Sequence, residues 1–361
     1  MNILIVTGHP AQVHNFRVLK TLLESSGHKV TWAATNKDIS SELLKAYQIQ
    51  SVRLDRPGKG ILSKLSVLMG NALVIGKIVI KEKIDFIISR VYPSASLVSF
   101  ILRINHVGLT DTEVSGIYNT IFAKPLSSLL TSTSFERQLR KDQIRYQANI
   151  ELFYLHPNYF EPDRKEAYRL LNIAEGTPYV IVRLVSWNAY HDKQTGFSAV
   201  NKIRAVKEMS QYAKVFISAE GNSLPVELEE YRIKIPFEKI HIVLNEAVLF
   251  LGEGASMASE CAMLGTYAIN VAFAFPGSLK EEEKYGLLTN YGADENSQIT
   301  AISEAVKLLQ NKKLKSETLE KRKRFLTDHI DPTAFFIWFI ENYPKSKEIM
   351  KSNPDYQYIF R

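Results

Sequence analysis

The segment from Val248 to Asn270, VLFLGEGASMASECAMLGTYAIN, has the residue types of an anion-binding site. An apolar strand runs into a polar turn flanked by Gly252 and Gly254, which permit sharp turning and a close approach of the backbone. Ser256 is placed to cap the following helix, whose first amides lack partners within the helix. Those amides and the helix dipole together favour phosphate. An ordinary capped helix is the alternative, because capping alone explains Ser256.

Glu260 lies four residues after Ser256 and is therefore predicted on the same helix face, where its carboxylate suits sugar hydroxyls. The glycine spacing fits neither GxGxxG nor GxxxxGK[ST], so the segment is not a standard dinucleotide fingerprint or P-loop. HExxH, paired-cysteine and GxSxG patterns are also missing from the sequence. We therefore expect no metal and no cofactor.

Further polar residues follow the predicted strands of the first half, and ligands of open parallel sheets bind at the carboxyl ends of strands. His9 and His14 bracket the start of a helix after the first strand, and either imidazole could act as a base near neutral pH. Capping or core histidines are the alternative. Asp111 and Glu113 follow another strand and could serve as base or sugar ligand, or simply begin a helix.

The loop from Arg90 to Pro93 follows the predicted strand Phe86 to Ser89. Arg90 and Tyr92 could contact an acceptor there or merely line the site.

The second half offers a comparable set. Arg183 stands in a strand made largely of Val, Ile and Leu, where an unpaired charge would be costly, so it should pair with an acid or a phosphate. His191 lies with Trp187 and Asp192 in the loop after that strand. These three side chains could hold a base, orient a leaving phosphate or stabilise the loop. Ser218, Glu220 and Gly221 follow the next strand. Together with Gly254 to Glu260, three strand ends of the second half are thus predicted to converge on one polar pocket.

Alternating strand and helix patterns predict the elements that must position these residues. A chain of 361 residues favours two domains over one core. Strands are predicted, among others, at Asn2 to Thr7, Phe86 to Ser89 and Ser128 to Ser132, the last completing the first half. A second alternation starts after the connector Tyr154 to Asp163.

The expected fold class is α/β, with two doubly wound domains facing across a cleft. Residues 1–155 would form the N-terminal domain, and residues 156–330 the C-terminal domain. Residues 331–361 would form a helix and tail that pack back on the N-terminal domain.

Composition narrows the setting of the protein. Apolar content of 45% and charged content of 23% are typical of globular proteins. The net charge of +7 is compatible with phosphate-bearing ligands or an anionic membrane, and no RNA-binding signature accompanies it, so no nucleic-acid partner is expected. The lone cysteine, Cys261, is expected to be buried. No signal peptide is recognised, which predicts a cytoplasmic protein.

The most apolar segments, Leu65 to Ile80 and Ser94 to Ile104, are short or interrupted for a membrane span. Peripheral contact with the inner face of the cell membrane through Ile61 to Ile80 is an expectation, with a buried core helix as the alternative. The sequence leaves the oligomeric state open.

The sequence resembles the DUF354 family, which is related to GT-B glycosyltransferases and to the non-hydrolysing UDP-N-acetylglucosamine 2-epimerases. The resemblance runs along most of the chain. It is carried by the segments GHPAQVHNF, DTE at Asp111 to Glu113, YLHPNYFEPD, VRLVSWNAYHD from Val182, VFISAEG from Val215 and GEGASMASECAMLG from Gly252.

The resemblance implies an α/β fold of the GT-B type, with two Rossmann-like doubly wound domains facing across a cleft. Residues 156–330 would then be the nucleotide-sugar domain, which binds most of a UDP-linked donor, and residues 1–155 the acceptor domain, which binds a saccharide or lipid-linked acceptor. Ser256 and Met257 would hold the diphosphate and Glu260 the ribose. His14 or Asp111 would be the base for an inverting transfer, while Arg183 and His191 would neutralise the leaving group in place of a metal. Tyr267 departs from the pattern, because such enzymes often have proline there.

Three functions remain open. The leading hypothesis is a glycosyltransferase for a surface polysaccharide or glycolipid. The second is a UDP-sugar 2-epimerase, in which Asp111, Glu113 and His191 would move the proton and hold the eliminated intermediate. The third is a non-catalytic protein that binds nucleotide-sugars.

Overall fold

The computed structural model describes residues 1–35, 38–56, 58, 60–111, 113, 116–184, 197–219 and 224–361. These residues form two compact units. Unit 1 comprises Met1–Tyr159 together with His329–Arg361, and unit 2 comprises Phe160–Asp328. The division after Tyr159 lies inside the proline-containing connector, and the C-terminal segment belongs to unit 1.

Unit 1 begins with an alternation of strands and helices. Its elements are β1 Asn2–Thr7, α1 Pro10–Ser25, β2 Lys29–Thr35, α2 Asp38–Ala46, β3 Val52–Leu54, α3 Ile61–Lys81, β4 Phe86–Ser89, α4 Pro93–Leu102, β5 Asn105–Leu109, α5 Gly116–Ala123, β6 Ser128–Ser132, β7 Ile144–Tyr146 and α6 Leu152–Leu155. The strands form a seven-stranded parallel sheet in the order β3-β2-β1-β4-β5-β6-β7.

Unit 2 repeats the architecture with fewer strands. Its elements are α7 Arg164–Leu170, β8 Tyr179–Leu184, α8 Ala199–Met209, β9 Lys214–Ala219, 3-10 turns at Val226–Tyr231 and Phe237–Lys239, α9 Ile240–Glu246, β10 Leu249–Gly252, α10 Ala255–Leu264, β11 Tyr267–Val271, α11 Gly277–Lys284, β12 Leu288–Tyr291, α12 Glu295–Leu309 and α13 Leu314–Asp328. The parallel sheet has the order β12-β11-β10-β8-β9.

The C-terminal segment contains α14 Pro332–Glu341, α15 Lys345–Ser352 and a 3-10 turn at Pro354–Phe360. Asp331 caps α14 by accepting hydrogen bonds from the amides of Thr333 and Ala334, both at 3.0 Å. Its other carboxylate oxygen accepts from Asn158 Nδ2 at 2.9 Å and from the Tyr159 hydroxyl at 2.6 Å. One carboxylate therefore starts the helix and fastens the end of the first segment of unit 1 to it.

The predicted α/β class with two Rossmann-like units is confirmed. The bounds of β1, β4 and β6 are those that the apolar runs predict, because strands buried on both faces read as continuous apolar segments. The expectation that Ser128 to Ser132 completes the first sheet was wrong, since β7 pairs beyond it. A strand of three residues is too short to show a period.

The helix α3 is longer than the apolar segment Leu65 to Ile80 that the sequence analysis weighed as a membrane span. The helix runs over 21 residues from Ile61, and by length and composition it could cross a membrane. Its inner face nonetheless belongs to the core of unit 1, with Ile75 fully buried and the Asn71 amide donating to Asp55 O and the Tyr92 hydroxyl. It therefore covers the sheet as a crossover helix.

Candidate functional site

The two central strands of the unit 2 sheet define its topological switch point. The chain leaves β8 for β9 on one side and returns to β10 on the other side of β8. Ligands of open parallel sheets bind where the strand order reverses, beyond the carboxyl ends. Those ends carry Arg183 and Leu184 on β8 and Gly252 on β10, with the start of α10 directly after.

Gly252 and Arg183 are register partners at this point, and their backbones approach very closely. A Cβ atom on Gly252 would lie 2.6 Å from Arg183 Cβ, 2.8 Å from its carbonyl oxygen and 2.9 Å from its amide nitrogen. The Glu253 amide then donates to Arg183 O at 3.1 Å. Glycine is thus required for the close approach that the sequence predicted there.

The start of α10 corrects one prediction. Gly254, with φ at +109°, is the N-cap residue, and no side chain caps the helix. The prediction that Ser256 caps it was wrong, because the positive φ that glycine permits lets the helix begin at Ala255 and places Ser256 inside the first turn. Gly254 and Ser256 are both exposed, and Met257 is half-buried. The first turn of α10 is therefore open to a ligand.

Glu253 is a buried carboxylate at the switch point that the sequence reasoning missed. Its side chain accepts a hydrogen bond from the Phe197 amide and lies 3.9 Å from Lys202 Nζ. Burial lowers the pKa of Lys202, and the charge of Glu253 opposes that shift. An acidic residue between two glycines at the end of an apolar strand was the available signal.

Arg183 and Ser218 meet at the ends of neighbouring strands, as their positions predict. Arg183 Nη1 donates to Ser218 Oγ at 2.8 Å. This bond orients the guanidinium at the carboxyl edge of β8 and β9.

Glu260 is buried on α10, and its Oε1 lies 3.1 Å from Nε2 of the buried His241 on α9. The carboxylate is held in a fixed position by this contact. The neighbouring Cys261 is fully buried, as predicted, and burial raises the pKa of its thiol.

In unit 1, Arg90 and Asp111 come together beyond the carboxyl ends of β4 and β5. Arg90 Nη2 contacts Asp111 Oδ1, and Arg90 Nη1 donates to Asn15 Oδ1 at 3.2 Å. Burial lowers the pKa of the Arg90 guanidinium, while the nearby Glu151 opposes the shift. The sequence proposed Arg90 and Asp111 as separate candidates, and the structure joins them into one ion pair.

Val91, directly after Arg90, has φ at +49°, which is a strained conformation for a β-branched residue. It is buried among Leu126, Leu129 and Phe135. Such strain persists only where the surrounding packing fixes it, and it concentrates at functional sites. A loop from Arg90 to Pro93 was predicted, but the positive φ of Val91 was not.

The two candidate histidines of unit 1, His9 and His14, lie in different settings at the start of α1. His9 is the N-cap of α1, and its Nδ1 accepts from the Ala11 amide at 3.3 Å. His14 is 7% exposed, its Nδ1 lies 3.1 Å from the Tyr47 hydroxyl, and its ring stacks on Tyr154 at 5.6 Å. His9 therefore caps the helix and His14 packs in the core, which are the two alternatives to a catalytic role.

The side chains of Glu113 and Tyr92 each make hydrogen bonds to other residues of unit 1. Glu113 Oε1 accepts from the Glu136 amide at 2.7 Å. The Tyr92 hydroxyl lies 3.1 Å from both Thr35 Oγ1 and Asn71 Nδ2, and burial raises its pKa.

His191 and Glu220, with Trp187, Asp192 and Gly221, lie outside the described residues. Among the residues that are described, no group of three or more His, Cys, Asp or Glu side chains could hold a metal ion.

Several solved structures share this fold at low sequence identity. UDP-GlcNAc 2-epimerase from Neisseria meningitidis, bound to UDP-GlcNAc, is 10% identical with a TM-score of 0.59 over 90% of this chain and 100% of that chain. The spinosyn rhamnosyltransferase SpnG with spinosyn aglycone is 12% identical with a TM-score of 0.63 over 95% and 100%. MurG from Acinetobacter baumannii is 16% identical with a TM-score of 0.56 over 94% and 99%.

These likenesses, together with the two parallel sheets, define the fold class as GT-B, which glycosyltransferases and UDP-GlcNAc 2-epimerases share. A comparison with curated protein sequences finds no significant match. Residues 1–337 match the family described as protein of unknown function DUF354, and the chain belongs to that family.

Proposed function

We propose that the protein is a metal-independent, inverting glycosyltransferase. It moves a sugar from a UDP-linked donor to a hydroxyl acceptor in surface polysaccharide or glycolipid biosynthesis. The observation that carries the proposal is the open first turn of α10 at the switch point of unit 2, in a GT-B fold. Unpaired amides and the helix dipole favour a diphosphate at that position.

The donor site is proposed around this turn. The amides of Ser256 and Met257, beside Gly254, hold the diphosphate, and the Arg183 guanidinium, oriented by Ser218, stabilises its negative charge. Glu260, held by His241, accepts hydrogen bonds from the ribose hydroxyls. His191 and Glu220 are proposed for the same site on sequence grounds.

The acceptor site is proposed in unit 1, with Asp111 as the base and His9, Arg90 and Tyr92 as acceptor contacts. We favour Asp111 over His14 because the Asp111 side chain is 27% exposed, whereas His14 is 7% exposed and packed between two tyrosines. Glu113 is less suited to proton transfer, because it already binds the Glu136 amide.

The reaction then balances without a metal. Asp111 takes the proton of the acceptor hydroxyl as that oxygen bonds to the anomeric carbon. The bond from the anomeric carbon to the phosphate oxygen breaks with its electron pair, and UDP leaves. Arg183 and the amides of α10 stabilise the charge that develops on UDP.

Donor binding is tested first by thermal shift with UDP, GDP, CMP, dTDP and their sugar conjugates, since a ligand of the folded state raises the melting temperature. Glu260→Gln keeps a partner for the buried His241, which Glu260→Ala would remove, and it should weaken UDP binding. Val226→Glu, at an exposed position of unit 2, is the control and should bind UDP as the parent does. Unchanged UDP affinity in Glu260→Gln would contradict the ribose assignment.

Catalysis is tested by release of UDP from the donor with and without candidate acceptors. Asp111→Asn should abolish release and retain UDP binding. Full activity in this variant would exclude Asp111 as the base. Binding of a UDP-sugar by the parent with no turnover of any kind would favour a non-catalytic binding protein.

The second candidate is a UDP-sugar 2-epimerase, which the likeness to the N. meningitidis enzyme favours. In that case Asp111 and Glu113, with His191, would remove and return the proton at C2 of the sugar. Incubating the protein with UDP-GlcNAc in heavy water separates the two reactions. Deuterium in the recovered UDP-sugar without net UDP release would establish epimerisation, and UDP release that depends on an acceptor would establish transfer.

A further inference from the structure

An exposed apolar surface lies on unit 1, on helices α3 and α4, which pack against each other. We call it the α3/α4 surface and define it by Leu62, Leu65, Met69, Leu73, Phe100 and Ile101. These side chains are between 48% and 84% exposed. The four residues of α3 are spaced by three or four positions and therefore share one helix face. The α3 part of the surface is therefore a stripe along one helix face, and Phe100 and Ile101 are exposed on the helix packed beside it.

The opposite face of α3 is the face that packs in the core of unit 1. Asn71, Ala72, Ile75, Ile78 and Val79 are buried against the sheet of unit 1. The apolar face of a helix usually packs against the core of the protein. Only 28% of the most apolar window of α3 is buried, so the exposed stripe contributes little to packing among the described residues.

The charged residues within α3 and α4 themselves have a single sign. Neither α3 nor α4 contains an acidic residue. Lys64, Lys77 and Lys81 on α3 and Arg103 after α4 are exposed cations. The nearest acid in sequence, Glu82, follows α3 directly; it pairs with Lys29 at 2.7 Å and lies 4.0 Å from Lys81.

We propose that the α3/α4 surface docks unit 1 on an anionic lipid bilayer, with α3 lying in the interface and not crossing it. An apolar face bordered by lysine and arginine is the pattern of helices that bind anionic headgroups in this way. The helix α3 does not cross the bilayer, because its inner face, which includes Asn71 and Ile75, is buried in unit 1. A second copy is a poorer occupant, since a two-fold contact would bring the same lysines together.

The test is flotation of the full chain with vesicles of phosphatidylcholine alone and of phosphatidylcholine with phosphatidylglycerol. We expect binding to the anionic vesicles that is at least tenfold tighter than to the neutral ones and that weakens as salt is raised. Leu65→Glu/Leu73→Glu should lower this binding at least tenfold, and Lys77→Glu/Lys81→Glu should remove the preference for anionic lipid. The control is Val200→Glu/Val226→Glu, which changes two exposed valines of unit 2 and should bind as the parent does.

Equal melting temperatures and equal UDP shifts would show that the variants are folded, and they keep this proposal separate from the proposed function. Failure of the parent to float with anionic vesicles would overturn the proposal, as would equal loss in the control. A dimer in sedimentation that Leu65→Glu/Leu73→Glu dissociates, without vesicle binding, would assign the surface to a second copy instead.

Discussion

The substitution Gly252→Ala tests the close approach of β8 and β10 on which the candidate donor site depends. The added methyl group would lie under 3.0 Å from three atoms of Arg183, two of them backbone atoms that cannot rotate away. Overpacking of this kind lowers the free energy of unfolding by about 1–3 kcal/mol. Because two of the contacts are with backbone atoms, we expect a loss of about 3 kcal/mol. Separation of the strands would also weaken the hydrogen bond from Glu253 N to Arg183 O, which contributes about 1 kcal/mol.

The expected shift in melting temperature follows from the size of unit 2, Phe160–Asp328. For a unit of this size, 1 kcal/mol corresponds to about 2–4 °C, so a loss of about 3 kcal/mol should lower its transition by about 6–12 °C. UDP binding should weaken as well, because the same displacement moves the start of α10 away from Arg183.

Calorimetry of the parent and of Gly252→Ala measures the transition, and UDP titration measures the site. Gly70→Ala is the control, since a Cβ there meets nothing within 4 Å and alanine favours a helix interior by about 0.5–1 kcal/mol. A Gly252→Ala protein that melts with the parent, while the control behaves as expected, would refute the argument that glycine is required between these strands.

Three further predictions concern unit 1. The buried His106 has a pKa lowered to about 3 by desolvation, below its value when unfolded, so its contribution to stability is present above about pH 6.5 and declines as pH falls. The free energy of unfolding should therefore fall by about 2 kcal/mol from this group between about pH 7.5 and pH 5, and urea titrations of His106→Asn should lack that component. Arg90→Met should destabilise the fold by about 3 kcal/mol by leaving the Asp111 carboxylate without its cation, and the double variant with Asp111→Asn should recover most of this loss. Strict additivity in that cycle would contradict the pairing. Asp331→Ala should cost about 2 kcal/mol through the lost cap of α14 and the orphaned Tyr159 hydroxyl, measured by urea unfolding, and an unchanged midpoint would exclude this role.

The candidate site was predictable in its location more than in its contacts. Buried parallel strands are recognisable in a sequence as apolar runs, and ligands bind at the carboxyl ends of such strands. The sequence therefore singled out Arg183, Ser218, Asp111 and the segment around Gly252. The capping role given to Ser256 failed because a positive φ at Gly254 shifted the helix start. The buried Glu253 was overlooked because its partners, Phe197 and Lys202, are distant in sequence.

The sequence by itself determined the two alternations of strand and helix, and hence the class of fold, because strand and helix periods are local properties of the chain. It also singled out α3 as a helix with a broad apolar face. Only the tertiary structure decided which face of α3 is covered, that Arg90 meets Asp111, and that His241 holds Glu260. These outcomes depend on which elements lie side by side in the folded chain. Burial and ion pairing are set by distance in space, which no local period encodes.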